Sequence, residues 1–368
     1  MPLRARAVYL ALASTLLFSA CTQNGQVATL EQKPSLLQAL ISTATKSGAT
    51  PVPEKLPAYK SPGREFSLPG AKWVPQSYNN CAPATTSMIL QYFGHSVSQV
   101  ETKQALRTTS GDKNVFTPEI QTYLKNTYNL ESKLGFGGDL QMLKTLFTNG
   151  FYVMVEDWLH PGEDIGHNTI IRGFDDDRQV VISDDSFIGA GVTFPYDVFV
   201  NNQWKAFNRE YLIVYTKDKE PLLKAILASR FDDKAMWQHA IDINTSETKS
   251  APNDMYAWFN LGSSYYGAGS FSQAKTAFDK AKAIGWPRRM LWYQIQPIQT
   301  YNKVGEYQKA LDLIAEGLAG NQEFAELHYE AAVAYKGLGQ LDRARSEVQL
   351  ALSFAPKYAP ALVLSKQL

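Results

Sequence analysis

The chain has 368 residues, 45% of them hydrophobic and 19% charged, a length and composition that suit two or three globular domains. The formal net charge is +1, and no basic run stands out, which excludes the electrostatic footprint of a nucleic-acid binder. Two cysteines exclude a disulfide framework, so any exported form would carry thiols without a scaffold role.

The N-terminus, MPLRARAVYLALASTLLFSAC, pairs Arg4 and Arg6 with an apolar run from Ala7 to Phe18. That run is too short to span a bilayer and long enough for an export signal. Ser19 and Ala20 lead into Cys21, which looks like a bacterial lipobox with Phe18 where Leu is usual. The expectation is a signal over 1–21, lipidation at Cys21, and a bacterial cell-envelope protein held outside the cytoplasm by its lipid; a plain secretory signal is the alternative. Residues 22–70 are expected to be a stalk: one short amphipathic helix over 34–48, then Pro51, Pro53, Pro57, Pro62 and Pro69 with few large apolar residues.

Residues 71–217 mix two periods. CAPATTSMILQYFG (81–94), TPEIQTYLKNTYN (117–129) and GGDLQMLKTLFTNG (137–150) carry helix spacing. Asn79 or Asn80 is expected to cap the first, Gly94 to close it, and Thr117 to cap the second. FYVMVEDW, HNTIIRGF, QVVISDD and REYLIVYT follow as β-branched and aromatic runs of strand length. Helices first and strands afterwards predict an α+β domain with a mainly antiparallel sheet.

Residues 218–368 predict an all-α repeat array. Trp258-x2-Leu261-Gly262-x2-Tyr265, Ala274-x3-Phe278 and Pro287 match the tetratricopeptide pattern. Gly269, Gly305 and Gly339 mark turns spaced 36 and 34 residues apart, and Ala274, Ala310 and Ala344 mark the small positions. Pro297 and Ile298 stand where the middle repeat should read Leu-Gly. About three repeats are expected, with 220–243 as a divergent leading helix pair capping the stack. Such solenoids present a concave face to a peptide or protein.

Cys81 falls at the start of a predicted helix, where backbone N–H groups and the helix dipole favour a thiolate. A nucleophilic thiol needs a base, and the base an orienting group. Of the five histidines, His95 and His160 fall in loops and His239 and His328 in the helical half. His167 opens a strand, and Asp184 and Asp185 end the next one. Asp157, His160, Glu163 and Asp164 fit no standard metal spacing, and no cofactor is expected.

QSYNNCAPATTSMILQYFG, GHNTIIRGFDDD and ISDDSF together resemble the papain-like cysteine peptidases of family 39, the double-glycine type, over 71–217. The chain looks most like the stand-alone family-39-like domains of exported proteins, some of which precede tetratricopeptide repeats. The resemblance implies Cys81 as nucleophile, His167 as general base and then acid, Asp185 as orienter with Asp184 as runner-up, and Gln76 as oxyanion donor beside the Cys81 N–H. Two departures stand out: Cys81-Ala82-Pro83 replaces Cys-Gly-Pro, and Gln76 precedes Cys81 by five residues, one fewer than in papain. There is no phosphate loop of a peptide-exporting ATPase. The implied function is a tethered extracytoplasmic cysteine peptidase whose repeats recruit a protein substrate or partner. A non-catalytic peptide-binding adaptor and a thiol-dependent transferase or amidase are the alternatives. If the repeats shield the cleft, removing 218–368 should raise activity.

Overall fold

The computed structural model describes residues 56–107 and 115–368; Cys21 and the helix expected over 34–48 lie outside them. The chain begins with a short strand, β1 (Glu65–Ser67), and three helices, α1 (Cys81–Tyr92), α2 (Gln99–Leu106) and α3 (Thr117–Tyr128). It continues through β2 (Glu131–Gly135), α4 (Leu140–Thr148), β3 (Tyr152–Trp158), β4 (Gly166–Asp175), β5 (Val180–Asp185), β6 (Gly189–Pro195) and β7 (Tyr211–Tyr215). All seven strands join one antiparallel sheet in the order β2-β7-β3-β4-β5-β6, with β1 added beside β4.

The period of two decides which side each residue faces. Met154, Ile170, Leu212 and Val214 pack under α1, α2 and α3 with Met88, Ile89, Leu106, Ile120 and Leu124. Their neighbours Val153, Val155, Ile171 and Ile213 face the other way, against Leu143, Leu146 and Phe147 of α4. The sheet is thus covered on both faces, which is why its strands read as nearly continuous apolar runs.

Beyond β7 the chain is helical: α5 (Glu220–Leu227), α6 (Asp233–Ser250), α7 (Met255–Gly267), α8 (Phe271–Ile284), a single turn α9 (Met290–Tyr293), α10 (Gln296–Lys303), α11 (Tyr307–Leu318), α12 (Ala325–Gly337), α13 (Leu341–Phe354) and α14 (Ala359–Ser365). The helices α7/α8, α10/α11 and α12/α13 stand as three successive pairs. Gly262 is required inside its pair: a Cβ there would sit 2.6 Å from the Phe278 ring, so the two helices approach through a position only glycine fills.

Several expectations differ from the structure. Glu65–Ser67, inside the expected stalk, pairs with Gly173–Asp175 of β4, because the edge there offers unpaired backbone groups. The leading helix α5 does not cap the repeats; Leu223, Ile226 and Leu227 complete the core on the α4 side of the sheet. Its neighbour α6 packs on α7. Asn80 occupies the N-cap position of α1 but makes no side-chain capping bond, and its Nδ2 donates to Gln99 Oε1 at 2.7 Å. Thr117 is inside α3, preceded by Phe116, and gives its hydroxyl to Glu210.

The two regions share a core. Trp158, at the end of β3, is fully buried with Phe207 against Met255, Phe259, Phe278 and Met290 of the helical half. Its indole Nε1 donates to Tyr256 Oη at 2.8 Å. Residues Leu56–Leu368 accordingly form one compact unit.

Candidate active site

Cys81 is the first residue of α1, with no acidic side chain in the first turn and no side-chain cap. The N–H groups of Cys81 and Ala82, which have no carbonyl partner within a helix, are left for the thiol and for whatever binds beside it; Pro83 has none and Ala84 donates to the Asn80 carbonyl. The residue is partly exposed while its sulfur is enclosed. Burial pushes the thiol up, but the hydrogen bond and charge of His167 and the N–H groups of Asn168 and Ala82 outweigh it and hold the thiol below its ordinary value. Asn168 is fixed in turn, since its carbonyl accepts from Thr85 Oγ1 of α1 at 2.8 Å.

His167 lies at the start of β4 and is 3% exposed. Its Nε2 stands 3.1 Å from Asp185 Oδ2, an ion-pair contact in which the oxygen sits off the ring N–H direction. Burial alone would lower the imidazole; the Asp185 carboxylate and the Cys81 sulfur overcome it and raise the ring well above its usual range. Asp185 is 1% exposed and held from the other side: its Oδ1 accepts the N–H groups of Phe187 at 2.7 Å and Ile188 at 2.8 Å. Its backbone carbonyl accepts from Trp73 Nε1 at 2.8 Å. Burial resists the charge on Asp185, but His167 and these two N–H groups keep its carboxyl below the usual value.

Asp184, one residue earlier, serves the scaffold. Its Oδ2 accepts from Tyr92 Oη at 2.7 Å, Arg172 Nε at 3.0 Å and Ala71 N at 3.1 Å, and its Oδ1 from Gly191 N at 2.9 Å. Those four donors occupy it, and only Asp185 reaches the imidazole.

Gln76 is anchored beside the same cleft. Its N–H donates to the Ser186 carbonyl at 2.8 Å, and its Oε1 accepts from Ser186 Oγ at 2.8 Å. With the amide oxygen taken, the Nε2 end is the one free to donate. Gln76, Cys81 and His167 line one open cavity of about 460 Å³. Ala82, the departure from Cys-Gly-Pro, borders the narrow space beside Cys81 and is packed with the α1 core.

The other histidines stand elsewhere. His95 packs on Tyr128 with ring centroids 4.7 Å apart. His328 bridges Glu347 at 2.7 Å and the Gln322 carbonyl at 2.9 Å within the repeats. Among the described residues no group of three or more His, Cys, Asp or Glu is arranged to hold a metal, and no helix is long and apolar enough to cross a membrane.

Sequence reasoning missed three contributors. Asp157 stands directly across from His167 on β3 and is 2% exposed with Oδ1 unpartnered. Burial above all, opposed by His167 and reinforced by Asp185 and Cys81, raises its carboxyl well above the usual range. Glu156, one residue before it, lines the space beside Cys81. The third is the turn α9, whose Trp292 and Tyr293 also line that space. A Cβ on Gly166 would come within 2.6 Å of the Tyr293 ring, so the residue before the histidine is glycine because a repeat-borne aromatic lies on it. This turn stands where the middle repeat's first helix should begin, ahead of the shortened Gln296–Lys303 helix; the only signal was the irregular middle repeat.

Residues 69–212 match the Peptidase_C39 like family, and residues 256–284 and 325–358 match the tetratricopeptide repeat. Solved structures similar to parts of the chain include a C39-like protein from Bacillus anthracis (13% identity, 42% of this chain and 99% of that one, TM-score 0.36). A double glycine motif protease from an AMS/PCAT transporter, in complex with the leader peptide, has 16% identity over 44% of this chain and 99% of that one, TM-score 0.31. MamA from Desulfovibrio magneticus RS-1 has 20% identity over 40% of this chain and 82% of that one, TM-score 0.33. These superpositions are too loose to carry weight, and the domain assignment rests on the family matches. None of the curated proteins compared matches the chain.

Proposed function

Since the chain carries a C39-like peptidase domain followed by tetratricopeptide repeats, we propose that it is a cysteine peptidase acting through a thioester on Cys81. The observation that carries this reading is the buried line Cys81–His167–Asp185, in which the thiol is lowered and the imidazole raised. A lowered thiol beside a raised imidazole favours thiolate and imidazolium, the form a thiol nucleophile needs.

In this mechanism the Cys81 thiolate attacks the scissile carbonyl carbon and its π electrons move to oxygen. The resulting oxyanion is received by the Cys81 N–H and Gln76 Nε2. Preorganised donors of this kind typically contribute about 100- to 1,000-fold each in rate. His167 gives its proton to the leaving amine as the C–N bond breaks, which leaves a thioester. Neutral His167 then takes a proton from water, the hydroxide oxygen attacks the thioester, and the carboxylate product departs as Cys81 is restored. Asp185 holds the ring and stabilises its charged form throughout.

The same reading includes a lipid tether at Cys21 that keeps the enzyme at the cell envelope outside the cytoplasm, and repeats that engage a protein substrate or partner. Support for the tether is the sequence pattern alone. A fluorogenic peptide library tests the chemistry: hydrolysis by the protein that is lost in Cys81→Ser and His167→Ala, with an acyl-enzyme trapped by mass spectrometry, fits the proposal. Folded protein that hydrolyses nothing and takes up no acyl group overturns it in favour of the adaptor.

A further inference from the structure

The narrow space beside Cys81 has a neighbour. It shares Phe116, Glu156 and Tyr293 with a larger cavity of about 410 Å³ between the sheet and the repeats, within the about 300–1,000 Å³ of small-ligand sites. The sheet side contributes Glu156 and Glu210; the repeat side contributes Ser263, Tyr266 and Tyr293. No described lining residue is Lys, Arg or His.

The polar groups there are incompletely matched. Among the described residues the Glu210 carboxyl accepts only the Thr117 hydroxyl. No hydrogen bond supports the Glu156 carboxyl, whose electrostatic neighbours are Glu210, Cys81 and Asp157, all of one sign. Ser263 is 5% exposed, and its Oγ has no partner. Glu156 and Glu210 are half-buried and the Ser263 hydroxyl is buried; such groups are ordinarily paired, and among the described residues no cation stands against either of these two carboxyls. Burial and these like charges raise the Glu156 carboxyl, and burial raises Glu210 to about 7, the response of acids waiting for a cation.

We propose that this cavity is a specificity pocket for a lysine or arginine side chain of the peptide, close to the bond that Cys81 attacks. The charged head would lie between Glu156 and Glu210 with the Ser263 hydroxyl in reach. Its methylene stem would pass along Phe136, Trp237 and Tyr266, walls that suit both an apolar stem and a cation. The inference rests on the peptidase reading for its substrate. It also gives the repeats a part in the site itself, since neither half of the chain closes the pocket alone.

Binding separates this inference from catalysis. N-acetylated, C-amidated peptides differing only in Lys, Arg or norleucine at each position in turn would be titrated calorimetrically into the Cys81→Ala protein. At one position Lys and Arg peptides should bind about 10- to 100-fold more tightly than norleucine. Glu156→Gln, which has no hydrogen bond to lose, and Glu156→Gln/Glu210→Gln should each erase most of that difference. Equal affinities, a difference that survives both variants, or no binding by any member of the set overturns the pocket. Hydrolysis by the unaltered protein reports separately on the peptidase reading: discrimination without hydrolysis leaves the pocket and removes the enzyme.

Discussion

Replacing Asp185 by Asn removes one charge from a buried ion pair and little else. The Asn oxygen can keep the Phe187 and Ile188 N–H groups that Oδ1 accepts. What is lost is a full charge 3.1 Å from His167 Nε2. At that separation Coulomb attraction is worth about 1 kcal/mol in water and about 5 kcal/mol at an effective dielectric of about 20. Part of the larger figure is offset by the cost of burying the charges, so a loss of about 10- to 1,000-fold in kcat/KM is expected. The sign is fixed by the shifts. The thiolate–imidazolium pair exists between the lowered thiol and the raised imidazole, and losing Asp185 lowers the imidazole. The alkaline limb of the kcat/KM profile therefore moves down in pH. Fluorogenic hydrolysis across pH, with thermal melting as the folding control, reads both effects. An Asp185→Asn protein with unchanged rate and alkaline limb would refute the orienting role.

Asp184→Ala should act on stability: it strands Arg172 and removes four hydrogen bonds, a loss of about 3–5 kcal/mol measurable by urea unfolding. Gly166→Ala should drive a methyl into the Tyr293 ring; a destabilisation of about 1–3 kcal/mol and a raised KM are expected, whereas unchanged melting and kinetics would mean the aromatic is not seated there. A chain ending at residue 217 should not be a freed, more active peptidase. It lacks Leu223, Ile226 and Leu227 from the sheet core and the helical side of the Trp158 cluster. Loss of cooperative unfolding by near-ultraviolet circular dichroism is expected, and a folded product with raised kcat/KM would contradict the shared core.

The strands β3, β4, β5 and β7 were legible as β-branched and aromatic runs, and the repeats by their spaced glycines and alanines, whereas β1, β2 and β6 are short or poor in such residues and gave no signal. Cys81, His167 and Asp185 could be picked out by a helix start, a strand start and a strand end. Choosing between Asp184 and Asp185 needed the register, in which Asp184 pairs with Ile170 beside a bulge of β4. Glu156 and Glu210 gave no signal: an acid in a strand normally reads as its solvent face, and here helices cover that face. Amphipathic spacing announces α5 as buried on one side and cannot say against what, so it was assigned to the repeats. Asn80 and Thr117 have good capping chemistry, but the Asn80 amide is turned to donate to Gln99 and leaves its oxygen unpartnered, and Thr117 falls one residue inside the helix. Pro297 and Ile298 marked the middle repeat as the one that departs from the pattern, but a departure from consensus does not say that Trp292 and Tyr293 turn toward Cys81.

The decisive measurement is the pH dependence of Cys81 alkylation by iodoacetamide, in the protein and in His167→Ala, followed by mass spectrometry. An unperturbed thiol titrates near about 8.5. A reactive thiolate well below that value in the protein is expected. In His167→Ala the titration should return to the ordinary value or above it, because burial still disfavours the charge. The same ordinary titration in both proteins, or an inert thiol in both, would contradict a nucleophile paired with His167.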